Sequence, residues 1–199
     1  FWKEFLGDLK GRGLAGTKLV ISDAHAGLVA AIRNKFQGAA WQRCRVHAMR
    51  NMMRAAPHQQ RQVISALIRT IFVQPDHTTA SAQLRLVVGQ LEPLAPKVAA
   101  LLEGMETDLL AYTGFPNAHW SKIWSNNPIE RLNRELKRRT NVVSIFPDTA
   151  SVIRLVGALL VEINDEMIAA ERRYISAASV AEIDGIEPDL QSLPAASRD

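Results

Sequence analysis

One stretch constrains this chain more than any other: a strand, a helix and a second strand within about thirty residues. Residues 17–22 form a short apolar run rich in β-branched side chains, closed by Leu19-Val20-Ile21-Ser22-Asp23. Such a run reads as a buried strand. Residues 27–36 follow with Leu28, Ala31, Ile32 and Phe36 on one helical face, and Gly38 ends that helix. Residues 39–46 read as the second strand. A crossover this short brings the two strands together in parallel, so the expected class is α/β. The pattern then changes. Residues 47–113 are nearly all helical in period, with helices over 49–55, 59–72, 78–91 and 97–112, punctuated by Pro57, Pro75, Pro93, Pro96 and Pro116. An all-α lobe inserted into an α/β core is the simplest organisation for that order.

The remainder is a basic helix over 127–139, a loop over 144–148 with Phe146-Pro147, and a long helix over 149–174. An acidic, Ala/Ser-rich tail closes the chain. The expected units are a core half at 1–48, a helical insertion at 49–120, a second core half at 121–175 and a flexible tail at 176–199. The chain opens on Phe1 with a helix already under way, which reads as a piece of a longer protein.

Composition narrows the chemistry. Of 199 residues, 47% are hydrophobic, which suits a packed core and not a disordered tail. No apolar run approaches the roughly 20 residues that span a bilayer. The single cysteine, Cys44, excludes an internal disulfide and fits a reducing, cytoplasmic setting. The net charge of +4 is modest, but its placement is not uniform. Residues 121–140 carry Lys122, Arg131, Arg134, Lys137, Arg138 and Arg139 against Glu130 and Glu135. Arg33, Lys35, Arg43, Arg45, Arg50 and Arg54 make a second cluster. Clustered cations suit a polyanion, although basic helices are also ordinary solvated faces.

Two carboxylates stand in unlike settings. Asp23 closes an apolar strand, and ligands in open α/β sheets gather beyond the carboxyl ends of strands. A hard oxygen there suits Mg²⁺ or Mn²⁺. The competing reading is helix capping by Ser22 or Asp23. Glu130 opens the basic helix, where Asn127-Pro128-Ile129-Glu130 also reads as a capping box. Ile129, Leu132 and Leu136 are expected to form that helix's core stripe. Asn133, Arg134 and Lys137 lie within about 60° of Glu130 on the wheel at 100° per residue, so the carboxylate shares a face with cations. Glu135 lies elsewhere and is expected to pair with Arg131 or Arg139.

Cys44-Arg45-Val46-His47 has the spacing of half a zinc site, and no second cysteine completes it. A buried thiol beside an orienting histidine is the favoured reading. Trp120 and Trp124 precede the basic helix, where they either pack in a core or stack on bases.

Three motifs together resemble the mutator-type transposases of bacterial insertion sequences. They are Leu19 to Leu28 around Asp23, Trp41 to Asn51 around Cys44-x-x-His47, and the Glu130 helix followed by Phe146-Pro147. The resemblance runs in order through residues 1–174. It implies an RNase H-like core with an Asp-Asp-Glu metal triad, interrupted by a helical insertion. Asp23 matches the second acidic residue and Glu130 the third, with Mg²⁺ or Mn²⁺ as the metal. Cys44 and His47 match a structural signature between them, and Asn127, Arg131 and Asn133 belong to the motif around the last Glu. The first Asp of the triad, with the first strands of the core, is expected upstream of Phe1. The chain alone is therefore expected to be inactive.

The resemblance further implies two-metal phosphoryl transfer that cleaves an element's inverted-repeat ends and joins them to target DNA. Arg131, Asn133, Arg134, Lys137 and Arg138 would contact DNA. A homo-oligomer associated with the bacterial nucleoid, and not with a membrane, is the expected setting. An RNase H-like nuclease and a non-catalytic DNA-binding remnant are the alternatives.

Overall fold

The computed structural model describes residues 1–143, 145–170 and 175–183. They form two units, Phe1–Ser125 with the described residues from Ala178 onward, and Asn126–Ala177.

The first unit begins with α1 (Trp2–Gly11), β1 (Leu19–Ser22), α2 (Ala26–Lys35) and β2 (Ala40–Arg43). The strands pair in parallel in the register Leu19↔Ala40 through Ser22↔Arg43. This is the strand–helix–strand crossover that the periodicity predicts. Gly38 makes the return possible: its φ of 84° is left-handed, a conformation costly for any residue with a Cβ. Leu6, Ala31, Ile32, Phe36 and Trp41 form the small core between α1, α2 and the sheet. Among the described residues the sheet has two strands.

The second strand is shorter than the sequence suggests. It stops at Arg43, and α3 (Arg45–Ala55) starts two residues later. Helices α4 (Arg61–Arg69), α5 (His77–Leu91), α6 (Pro96–Glu103), α7 (Glu106–Leu109) and α8 (Asn117–Ile123) then build the helical lobe, with 3₁₀ turns at His58–Gln60, Thr70–Val73 and Ala111–Gly114. The expected helix over 97–112 is thus three pieces, broken first at Gly104. Asp76 caps α5 by accepting the Thr79 N–H at 2.8 Å, and Pro96 occupies the first position of α6. Met52, Ile64, Ile68, Leu84, Val87, Leu91, Val98 and Leu102 lie fully buried in one shared core.

A buried amide joins strand to lobe. Gln42 is fully buried; its Nε2 donates to the carbonyls of Leu109 (3.0 Å) and Arg43 (2.7 Å). Its Oε1 accepts the Tyr112 N–H at 2.7 Å. Beside it, Arg43 pairs with Asp108 at 2.9 Å. The amide thereby satisfies backbone groups exactly where the chain turns irregularly between α7 and the following 3₁₀ turn.

The second unit contains α9 (Asn127–Thr140) and α10 (Thr149–Ala169), and α11 (Ala177–Ala181) spans the boundary. Arg139 ties α9 to α10 through Glu162 at 3.0 Å. Asp148 caps α10 by accepting the Ser151 N–H. The last long helix ends at Ala169, with the Ala170 backbone extended, short of the expected 174; residues 171–174, Ser144 of the expected loop and most of the expected tail lie outside the described residues.

The Gln42 network yields a prediction. Gln42→Leu keeps the bulk but strands the Tyr112 N–H and the Leu109 carbonyl. Unfolding in urea is expected to show a loss of about 2–4 kcal/mol with an unchanged slope. A loss below about 0.5 kcal/mol would mean that the amide is not the tie between strand and lobe.

Candidate metal centre and basic helix

The parallel register determines what meets beyond the sheet. Because Ser22 lies opposite Arg43, Asp23 and Cys44 leave the carboxyl edge side by side. The ladder continues one step further, with the Cys44 N–H donating to the Ser22 carbonyl at 2.8 Å. Ser22 is buried, accepts the Trp41 indole N–H at 2.9 Å, and donates to the Asp23 carbonyl at 2.8 Å. These bonds hold the Asp23 backbone in place.

Asp23 does not cap the helix that follows. His25 is the N-cap of α2, and its Nδ1 accepts the Leu28 N–H at 3.3 Å. The capping alternative for Ser22 and Asp23 is thereby corrected, and the carboxylate is turned elsewhere. It meets His47, whose Nδ1 lies 2.6 Å from Asp23 Oδ1. His47 reaches it because α3 starts immediately after the strand, which places His47 in the first helical turn. Cys44, the residue preceding α3, is fully buried. One ligand atom from each of Asp23, Cys44 and His47 lies within 4.8 Å of the others.

The donors differ in kind. The half-exposed Asp23 carboxylate suits Mg²⁺ or Mn²⁺, which take oxygen ligands and keep several waters. The Cys44 sulfur does not suit Mg²⁺, since thiolates select softer ions. Asp23 therefore fits a hard divalent cation on its own chemistry, and Cys44 does not.

Arg45 secures the start of α3. Its guanidinium lies 4.1 Å from the Phe72 ring centroid and 4.2 Å from that of Trp124. The Arg45 backbone N–H donates to the Trp124 carbonyl at 3.0 Å. Burial is the main influence lowering the Arg45 guanidinium below its usual value; Tyr112 opposes the shift and Arg69 adds to it. Burial likewise raises the Tyr112 hydroxyl, and Arg45 opposes that. Trp120 is buried edge-on to Tyr112, with its indole N–H on the Phe115 carbonyl at 2.7 Å. Trp124 meets the same tyrosine edge. Of the two uses open to these tryptophans, core packing is the one observed. The Arg45 sandwich escapes sequence reading, because its three side chains come from distant segments.

In the second unit, Glu130 is partly buried in the first turn of α9. The helix begins one residue earlier than the capping-box reading requires. Asn126 precedes it and makes no side-chain cap, so Asn127 is the first helical residue and Glu130 the fourth. The Glu130 N–H donates to the Asn126 carbonyl at 3.1 Å. Arg131, Asn133, Arg134, Lys137 and Arg138 are all exposed. Arg138 is also engaged with Glu135, through Nε at 2.9 Å and a second nitrogen at 2.7 Å. Arg139 donates to the same carboxylate at 2.8 Å. Of the two expected Glu135 partners, Arg139 is confirmed, and Arg138 stands where Arg131 was expected. Hydrogen bonds from Arg138 and then Arg139 hold the Glu135 carboxyl at about 2.

Residues 1–170 match the model of the Mutator family of transposases. The transposase of insertion sequence IS1081 from Mycobacterium tuberculosis is 53% identical over 174 residues, which cover 87% of this chain and 42% of that protein. The transposase of IS256 in transposon Tn4001 from Staphylococcus aureus is 41% identical over 88% of this chain and 45% of its own length. That of ISRM5 from Rhizobium meliloti is 42% identical over 88% and 44%. The chain is thus of the transposase class. Specifically, the chain belongs to the Mutator family of transposases, and it spans less than half the length of these relatives. No helix among the described residues is long and apolar enough to cross a membrane.

The Glu135 cluster gives a titration prediction. Its carboxyl lies below the ordinary value of 4.5, so the pairing stabilises the folded chain above that pH and is lost as pH falls through about 2. Carbon-detected NMR of Glu135 is expected to show no titration between pH 6 and about pH 3.5. A midpoint near the ordinary value would show that the arginine pairing does not persist in solution.

Proposed function

We propose that this chain is the part of an insertion-sequence transposase that carries two of its metal-binding carboxylates, Asp23 and Glu130, in an RNase H-like core. The single observation that carries the reading is the position of Asp23, uncapped and half-exposed at the carboxyl edge of a parallel strand pair. Family membership supports the reaction class proposed here, cleavage and joining of DNA strands.

Bound Mg²⁺ or Mn²⁺ would supply Lewis-acid activation of the attacking hydroxyl and stabilisation of the leaving oxygen. The chain's own contribution is positional. Asp23 offers a carboxylate oxygen from a backbone fixed by the Ser22 bonds, and His47 holds Oδ1 by its 2.6 Å contact. Glu130 offers the second carboxylate from the first turn of α9. Arg131, Arg134, Lys137 and Arg138 neutralise phosphates, with Asn133 beside them as a hydrogen-bonding group. The DNA partners are the element's inverted-repeat ends and the target. The active assembly is a homo-oligomer working at the nucleoid, and a third carboxylate comes from a part of the transposase beyond this chain.

The test replaces the matching 174 residues of the IS1081 transposase with this chain. Strand transfer is expected to require Mg²⁺ or Mn²⁺ and to vanish in Asp23→Ala and Glu130→Ala. Normal transfer by either variant contradicts the assignment. Cleavage without joining would favour a nuclease, and DNA binding without any metal-dependent cleavage would favour a binding module. Lys137→Ala is expected to lower the salt slope of DNA binding by about one, equally across sequences.

A further inference from the structure

The Asp23, Cys44 and His47 side chains hold more donor chemistry than a hard cation uses. We propose that they form a site for a thiophilic divalent cation, with Zn²⁺ the best match, bound by one oxygen, one sulfur and one nitrogen. The inference goes beyond the transposase reading and does not depend on it.

Geometry carries the proposal. A tetrahedral zinc ion with bonds of 2.0–2.3 Å holds its ligand atoms about 3.3–3.8 Å apart. Here one ligand atom from each residue lies within 4.8 Å of the others, and Asp23 Oδ1 and His47 Nδ1 are 2.6 Å apart. Opening that contact by roughly 0.7 Å and drawing in any longer separation by at most about 1 Å gives zinc geometry.

The Cys44-x-x-His47 pair by itself is half a site. Its missing third ligand is distant in sequence but is delivered by the parallel register, which sets Asp23 beside Cys44. Three protein ligands leave one position for water, the pattern of open zinc sites. The Asp23 side chain is half-exposed, so water reaches this edge of the site. Binding displaces the thiol proton: the sulfur–hydrogen bond breaks, a sulfur–zinc bond forms, and one proton passes to buffer. Because Asp23 is also the carboxylate assigned to Mg²⁺, zinc and the hard ion would compete for it.

Cobalt(II) is the probe, since thiolate ligation gives it a near-ultraviolet charge-transfer band and tetrahedral geometry gives intense visible bands. Cys44 is the only cysteine of the 199 residues, so a thiolate band from this chain reports that side chain alone. Titration of the 199-residue chain is expected to give both sets of bands at one ion per chain. Equimolar Zn²⁺ should abolish them, and millimolar Mg²⁺ should not. Cys44→Ser is expected to lose the charge-transfer band. His47→Gln, which leaves the buried thiol in place, is expected to lose the tetrahedral bands, with circular dichroism confirming that both variants fold. A thermal shift of the unaltered chain on adding Zn²⁺, reversed by chelator, is the matching readout without variants.

A weak octahedral spectrum with no charge-transfer band overturns the proposal, as does one ion per two chains, which would mean a bridge between copies. Unchanged bands in His47→Gln overturn the three-ligand set. Failure of strand transfer in the chimeric transposase, with cobalt bands intact, would sink the catalytic reading and leave this site standing.

Discussion

The pairing of β1 with β2 in parallel, extended by the Cys44 N–H on the Ser22 carbonyl, is the constraint on which the rest of the first unit depends. It sets Asp23 next to Cys44 and starts α3 at the sheet's edge, so that His47 comes within 2.6 Å of the carboxylate. A shift of one residue in that register would reverse the facing of every strand side chain and move Asp23 away from both partners. Three buried or partly buried features hold the register. They are the Trp41 indole on Ser22, the Gln42 amide on Leu109 and Tyr112, and the Arg45 guanidinium between Phe72 and Trp124. The helical lobe therefore braces the strand end as well as forming its own core.

Much of this was legible in the chain because it rests on local pattern. The crossover and the helix expected over 78–91, observed as α5 (His77–Leu91), follow from periodicity and the prolines that punctuate it. What sequence reading missed depends on tertiary partners. The second strand was expected to reach 46, but it ends at Arg43, where Cys44 gives way to α3. The helix over 97–112 breaks first at Gly104, and beyond α7 buried Gln42 takes up the Leu109 carbonyl and the Tyr112 N–H that a continuous helix would use itself. His25, and not Asp23, caps α2, and a histidine cap carries little local signal. The meeting of Asp23 with His47 combines strand register with helix phase, and neither alone predicts it.

The two units contribute different chemistry. The first supplies a carboxylate, an imidazole and a thiol on a braced strand edge. The second supplies Glu130 and a row of exposed cations on α9. Within that row the arginines divide. Arg139 ties α9 to α10 through Glu162 and shares Glu135 with Arg138. Arg131, Arg134 and Lys137 stand exposed along the same helix, as does Arg138 beside its Glu135 bonds. In the reading proposed here, structural pairing and phosphate contact are thus distributed over neighbouring turns of one helix, and the protein's membership of the Mutator family gives that distribution its use.

Asp23 is the proposed ligand for a divalent cation, and paramagnetic broadening by Mn²⁺ in ¹H–¹⁵N spectra of the 199-residue chain tests this most directly. Substoichiometric Mn²⁺ is expected first to broaden the amides of Asp23 and its neighbours Cys44 and His47, and Asp23→Asn to remove the effect. Broadening centred elsewhere in the first unit, or unchanged in Asp23→Asn, would contradict it.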